Sequence, residues 1–252
     1  MTDRLDRALG AYYGLALGDA LGMPTQVMSR QDIVRVYGTL TGFEPALPDN
    51  PVSAGMPAGS VTDDTDQAVI VGRLIDEGRG RIDPHDTTIG IAGAAAVAAA
   101  VSTGVGGGTL GEAVAAAVVA ARAGAQRGHW IAGADIACRI EWAWELVRGL
   151  PEAEALDRIC ALIGTSVASQ ESVPAAFAVL AVADGDPWRA ALLAANLGGD
   201  SDTIGAIAGA IAGSVAGSVA GLSALPTEAV RTLRTVNSLV LEPLTARLLA
   251  LR

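Results

Sequence analysis

The sequence contains no lysine: all 17 basic residues are arginine, set against 27 acidic ones, and the formal net charge is −10. The arginines are scattered with no basic run. That excludes the clustered positive footprint with which nucleic-acid binders neutralise phosphates. Aromatic residues make up only 4% of the 252 residues, poor material for a β-sandwich or barrel. Two cysteines, Cys138 and Cys160, have no zinc-type spacing and are too few for a disulfide framework. The N-terminal Met-Thr-Asp-Arg-Leu-Asp-Arg is charged and lacks the apolar run of a signal peptide, so a reducing cytoplasm is the expected compartment. Charged residues are scarce at 17% and hydrophobic ones reach 51%, a balance that excludes disorder.

What the chain has instead is small residues, 50 Ala and 31 Gly. Such residues let helix backbones approach closely, and apolar positions recur at helical spacing nearly throughout. The punctuation predicts helices over 3–18, 65–77 (ended by Gly78), 86–102, 110–125 and 131–148, with the last helices running from 226 onward. Ser172 with Pro174, and Asp186 with Pro187, read as caps followed by an early-turn proline. No strand alternation and no dividing linker is visible. The expectation is an all-α fold, a single domain over 1–252. One uncharged stretch, 204–225, is long enough to span a bilayer. It is weakly apolar, however, and Asp200 and Asp202 stand at its entrance without basic flanks or aromatic belts. Gly205, Gly209, Gly213, Gly217 and Gly221 recur every fourth residue along it, the stripe of a core helix. Two stretches are not helical. One, 38–61, carries Pro45, Pro48, Pro51 and Pro57; an irregular connection of that length lines a site or is mobile. The other, 103–109, is glycine-rich but lacks the lysine of a phosphate loop, and reads as a helix connector.

The informative residues are Thr62-Asp63-Asp64-Thr65-Asp66 and Asp200-Ser201-Asp202-Thr203, each directly before an apolar helix. Either alone reads as a helix cap favoured by the helix dipole. Together they are harder to explain so, because a helix start needs one cap and not adjacent carboxylates that repel each other. At an irregular helix entrance Asp63 with Asp64, and Asp200 with Asp202, can converge, with the Thr62 and Thr203 hydroxyls as neutral ligands. Four carboxylates are balanced by two divalent cations, and an all-oxygen set selects hard ions, Mg²⁺, Mn²⁺ or Ca²⁺, over zinc.

These motifs resemble the signatures of the ADP-ribosylglycohydrolase superfamily, which includes the dinitrogenase-reductase-activating glycohydrolases. Four segments occur in family order: the run from Gly14 to Pro24, Thr62-Asp-Asp-Thr65, Val173-Pro-Ala-Ala176, and the run from Asn196 to Gly209. The resemblance implies an orthogonal multi-helix bundle with a binuclear Mg²⁺ or Mn²⁺ centre that cleaves a glycosidic bond at C1 of a ribose. It implies Thr62, Asp63, Asp64, Asp200, Asp202 and Thr203 as metal ligands, with Asp64 or Asp202 orienting or deprotonating a water. Candidate residues around the substrate are Asp19, Gln26, His129, Gly198, Gly199 and Ser201. Some of these have plainer readings: Asp19 as a partner of backbone amides near Gly18 and Gly22, His129 with Trp130 as a capping or packed pair at a helix entrance.

Departures concern the substrate more than the metal. Gln26 stands where many relatives carry Glu, and a carboxamide cannot act as a general base. The aspartate of a family Asp-Ile-Gly element is missing near 104–108. The Gly-Asn-Gly-Ala and Met-Arg elements become Gly133-Ala-Asp-Ile-Ala-Cys-Arg139, and the Thr-His-x-x-Pro element is absent; the two histidines, His85 and His129, lie elsewhere. Asp135 with Arg139 reads as an ordinary ion pair, Glu171 as a helix-start acid or a catalytic carboxylate, and one of Trp142 and Trp144 as core. The expected activity is therefore hydrolysis of an ADP-ribosylated protein or small molecule, without nucleic acid or membrane as partner. The alternatives are an N-ribosyl hydrolase acting on a nucleoside-like molecule, and an inactive metal-bound ADP-ribose or ribose binder.

Overall fold

The computed structural model describes residues 2–78, 87–215 and 221–251. Along them run twelve α-helices: α1 (Thr2–Gly22), α2 (Arg30–Val36), α3 (Asp63–Asp76), α4 (Thr88–Val105), α5 (Leu110–Gly124), α6 (Ile136–Val147), α7 (Glu152–Arg158), α8 (Ser169–Ala183), α9 (Pro187–Ala195), α10 (Ser201–Ser214), α11 (Thr227–Asn237) and α12 (Glu242–Ala250). The single β feature among the described residues is an isolated bridge between Thr87 and His129. The fold is all-α, as the composition requires. His85, Gly217 and the expected helix start at 86 lie outside the described residues.

The most extensive helix contact is between α1 and α10, which run antiparallel with glycine facing glycine. A Cβ on Gly18 would fall 1.9 Å from Gly205 O, one on Gly209 2.0 Å from Gly14 O, and one on Gly213 2.1 Å from Gly10 O. Only hydrogen fits there. The same packing explains why α1 continues a turn past residue 18. Gly18, where the sequence reading ends the helix, and Gly22 are contact positions, and a Cβ on Gly22 would sit 2.4 Å from Asp202 N.

Three apolar clusters surround this pair. The largest joins α4, α5, α6, α8, α9 and α10. In it Ala92, Ala96 and Ala100 of α4 and Ala113, Ala117 and Ala121 of α5 form two buried rows at four-residue spacing. A second packs Leu9, Tyr13 and Leu17 of α1 against Val230 and Leu233 of α11 and Leu241. There the Tyr13 hydroxyl accepts from Arg234 Nε at 2.8 Å and donates to Glu242 Oε1 at 3.1 Å. A third, smaller cluster gathers Leu21, Ile33, Leu40, Ala191 and Ala195.

Several sequence expectations need correction. α6 begins at Ile136, five residues later than expected, because Asp135 accepts from Cys138 N at 2.8 Å and caps it. His129 and Trp130 are therefore in the loop before α6 and not at a helix entrance. Ser172 and Pro174 do not start α8. The helix begins at Ser169, Ser172 donates back to Ala168 O at 3.4 Å, and Pro174 lies inside the helix. Asp186 and Pro187 behave as expected, with Asp186 Oδ1 accepting from Arg189 N at 2.9 Å. The 103–109 stretch is a connector: α4 runs on to Val105, and Thr109 with Glu112 forms a capping box on α5. α10 spans 14 residues, fewer than the ~20 needed to cross a bilayer. Among the described residues only the 18-residue α4 is long and apolar enough for that, by length and composition.

Candidate active site

The site forms where α1, α3 and α10 meet. Asp19 is the one charged side chain in the apolar second half of α1, and it is fully buried. It clamps the start of α3. Thr62 N donates to both its oxygens at 3.0 and 2.9 Å, Thr62 Oγ1 to Oδ1 at 2.6 Å, Thr65 N to Oδ2 at 3.1 Å and Thr65 Oγ1 to Oδ2 at 2.5 Å. Thr62 is the N-cap residue of α3 but makes no capping bond with its own side chain. Asp19, from another helix, supplies the acceptor that orphan N–H groups at a helix start require.

This clamp turns Asp64 toward α10. One oxygen each from Asp19, Asp64 and Asp202 lie within 4.8 Å of one another. Asp202, 5% exposed, has a buried Oδ1 without a hydrogen-bond partner. Thr203 Oγ1 joins the two helices, donating to Asp200 Oδ1 at 3.1 Å and lying 3.3 Å from Asp64 Oδ2. Asp63 is exposed and accepts from Gln67 Nε2 at 2.7 Å, with its charge still felt by Asp64 and Asp200.

Crowding shows in the acidities. Asp64 is pushed up to about 7 by burial and then by the charges of Asp19, Asp202, Asp63 and Asp200. Asp202 is pushed up to about 7 by burial and then by Asp200. Burial also raises Asp19, against the bonds from Thr62 and Thr65, and raises Asp200, against its bond from Thr203. Such a group of carboxylates holds protons, or a cation, near neutral pH. Oxygen-only donors, one of them buried and unpaired, fit a hard divalent ion.

The approach to α10 is built from tight backbone. Gly198 and Gly199 have φ of 77° and 67°, and added Cβ atoms would meet Met28 O and Thr165 O, each at 2.2 Å. Gly199 N donates to Met28 O at 2.9 Å, Val27 N to Gly199 O at 2.7 Å, and Asp200 N to Thr165 O at 2.7 Å. Val27, β-branched, is forced to a φ of 59°, strain that persists only where the surroundings over-determine it. Ser201 is fully buried; it donates to Gly22 O at 3.0 Å and lies 3.0 Å from Thr25 Oγ1.

The residues expected around the substrate thus divide. Asp19 joins the acidic cluster, and the amides it satisfies belong to Thr62 and Thr65, not to the neighbourhood of Gly18 and Gly22. An acid buried in a glycine-lined apolar helix was the signal for it. The Ser201 side chain is taken up by the α1–α10 junction, and Gly198 and Gly199 are accounted for by backbone approach. Gln26 is 7% exposed with an unpaired Nε2. His129 is exposed, with its carbonyl accepting from Thr88 N at 3.0 Å and no hydrogen bond or ion pair to the cluster. Asp135 and Arg139 do not pair. Arg139 donates to Ile163 O at 2.5 Å and lies 5.4 Å from the centre of the Trp142 ring. Glu171 accepts from Ser166 N at 3.0 Å, a structural bond. Trp144 packs on the core while Trp142 is exposed.

Comparison with known proteins agrees with this geometry. The family model for ADP-ribosylglycohydrolase matches residues 1–89 and 84–252. YegU of Escherichia coli (strain K12), described as an uncharacterized protein, is 27% identical over 287 residues, covering 81% of this chain and 86% of its own. The ADP-ribosyl-[dinitrogen reductase] glycohydrolase of Rhodospirillum rubrum is 36% identical over 86 residues, 32% of this chain and 26% of its own. A solved structure described as an ADP-ribosylglycohydrolase-related protein complex superposes with a TM-score of 0.56 at 23% identity, covering 98% of each chain, and shares the fold. With clamp, acidic cluster and helix order in place, the chain belongs to the ADP-ribosylglycohydrolase family.

Proposed function

We propose that the protein is a divalent-metal-dependent hydrolase that cleaves the ribosyl glycosidic bond of an ADP-ribosylated protein or small molecule. The observation that carries this reading is the convergence of Asp19, Asp64 and Asp202 around the unpaired Oδ1 of Asp202. Thr62, Asp63, Asp64, Asp200, Asp202 and Thr203 would hold two ions, Mg²⁺ or Mn²⁺. Bound there, such ions orient ribosyl hydroxyls and lower the pKa of a water.

The chain's own residues do the rest. Asp19 keeps Thr62 and Thr65 in register and so holds Asp64 at the mouth of the site. Asp64, half-buried, is more accessible than Asp202. It is therefore the carboxylate that meets the water and accepts its hydrogen bond. Free Cys138 and Cys160 and the scattered arginines support a cytoplasmic setting and a substrate other than nucleic acid.

The test is turnover of ADP-ribosyl-arginine, ADP-ribosyl-serine, O-acetyl-ADP-ribose and a nucleoside panel with Mg²⁺ or Mn²⁺. Asp202→Ala should reduce activity at least about 100-fold, beyond the 10–100-fold typical of residues behind the ligands. Release of free ribose or nucleobase from nucleosides alone would replace ADP-ribose by a nucleoside-like substrate. Binding without turnover on any of them would make the protein a ligand-binding module. Full activity in Asp202→Ala would overturn the site.

A further inference from the structure

α3 packs on the molecule with its small residues inward. Only Thr65 and Gly72 of this helix are buried, and a Cβ on Gly72 would meet Tyr12 of α1 and Leu244 and Leu248 of α12. Its large apolar side chains face water instead: Ile70 is 53% exposed, Val71 39%, Leu74 41% and Ile75 43%. No other described helix exposes as many. This inverts the usual amphipathic arrangement, in which the apolar stripe turns to the core. Contiguous exposed apolar surface of this kind marks an interaction site.

The charges beside it specify what covers it. Ile70 and Leu74, four apart, share one side of α3, and Val71 flanks them on one edge. On the other edge stand Asp66 and Arg73, seven residues and so two turns apart. Both are exposed, and among the described residues neither side chain has a hydrogen bond or an ion pair. A two-fold axis perpendicular to α3 lays each edge against the same edge of a second copy, with the direction reversed. Asp66 of each copy then meets Arg73 of the other, twice over, and Ile70 meets Ile70 beside the axis. A parallel copy would set the charged edge against Val71 and leave both charges unmatched. One charge of each sign, on one edge and at a spacing that matches itself under reversal, fits a second copy of this chain.

We propose that the protein forms a two-fold dimer by antiparallel pairing of the exposed faces of α3. Asp63 and Glu77, toward the ends of the helix, fall opposite each other as like charges, which confines close contact to its middle, around Ile70. Asp64 lies about 100° round the helix from Asp63 and turns to α10, so it stays off the seam.

Light scattering on a size-exclusion column, with the full chain at about 1–100 μM, tests this. The wild type should rise to twice the mass of the chain over that range. Ile70→Asp brings two carboxylates together at the axis and should leave a monomer, with circular dichroism reporting an intact fold. Asp66→Arg and Arg73→Asp should each weaken association about tenfold, because each turns two attractions into two repulsions. The double variant restores both pairs with the signs exchanged and should recover the wild-type affinity to within about threefold. Should Ile70→Asp fail to fold, the charge exchange carries the test alone. A wild type that stays monomeric throughout, a dimer that survives Ile70→Asp, or a double variant that associates no better than the single ones overturns the proposal.

Discussion

Asp19 shows how much one side chain carries at the residue scale. It accepts from two backbone amides and two hydroxyls at the start of α3, and its removal strands donors that no other group replaces. Asp19→Ala should therefore cost about 3 kcal/mol in urea unfolding, as expected for more than one buried unsatisfied donor. Asp19→Asn, which keeps an acceptor oxygen, should cost less. Equal, small losses in both would show the clamp to be idle. The raised acidities of Asp64 and Asp202 make a second prediction. Both go from an ordinary 3.8 to about 7 on folding. Between those values the folded protein binds more protons than the unfolded chain, so the stabilisation present below pH 4 is lost as pH rises through 7. Urea midpoints in EDTA should fall from pH 5 to pH 8. A midpoint that rises over that interval would contradict the crowding of these carboxylates.

Glycines at two kinds of position give opposite expectations at the scale of the element. Gly18→Ala drives a methyl into Gly205 O, with 1.9 Å available, and should lose about 3 kcal/mol or more as α1 and α10 are forced apart. Gly111, exposed in the first turn of α5 with nothing near its missing Cβ, is the control. Gly111→Ala should gain about 0.5 kcal/mol from the better helix former. Thermal unfolding of the two variants checks both signs. The same contrast explains what the sequence disclosed. The two acidic helix entrances and the fourfold glycine spacing were legible because each is a local pattern of residue types. The end of α1 was not, because a glycine such as Gly18 looks the same as a helix stop and as a helix contact until a partner is in place. Nor was the start of α6, where Asp135 caps and Gly128, His129 and Trp130 do not. Pro174 misled for the opposite reason. Inside α8 tertiary burial on all sides outweighs a local penalty that usually ends a helix. The role of Asp19 depended on a contact 43 residues away along the chain, beyond any local reading.

Across the whole molecule, stability and metal binding are coupled. An ion held by Asp64 and Asp202 binds the folded state only, so Mg²⁺ or Mn²⁺ at about 100 times its dissociation constant should add about 2.7 kcal/mol. The gain should be larger at pH 8 than at pH 5, because at the lower pH protons compete for the same oxygens. An unchanged melting temperature at both pH values would argue against a cation in the cluster. The glycine seam itself has a further consequence. Its spacing repeats every four residues on both helices, so sliding α10 by one turn would bring Gly14 to Gly213, Gly18 to Gly209 and Gly22 to Gly205, all still glycine. Close packing by itself is thus indifferent to a displacement of about 6 Å, four residues of helical rise. What is not repeated is the polar end: Ser201 against Gly22 and Thr25, and Asp202 beside Asp19. Those few polar contacts act as the index mark on an otherwise unmarked rule, and the residues proposed for chemistry also tell the two longest-packed helices where to stop.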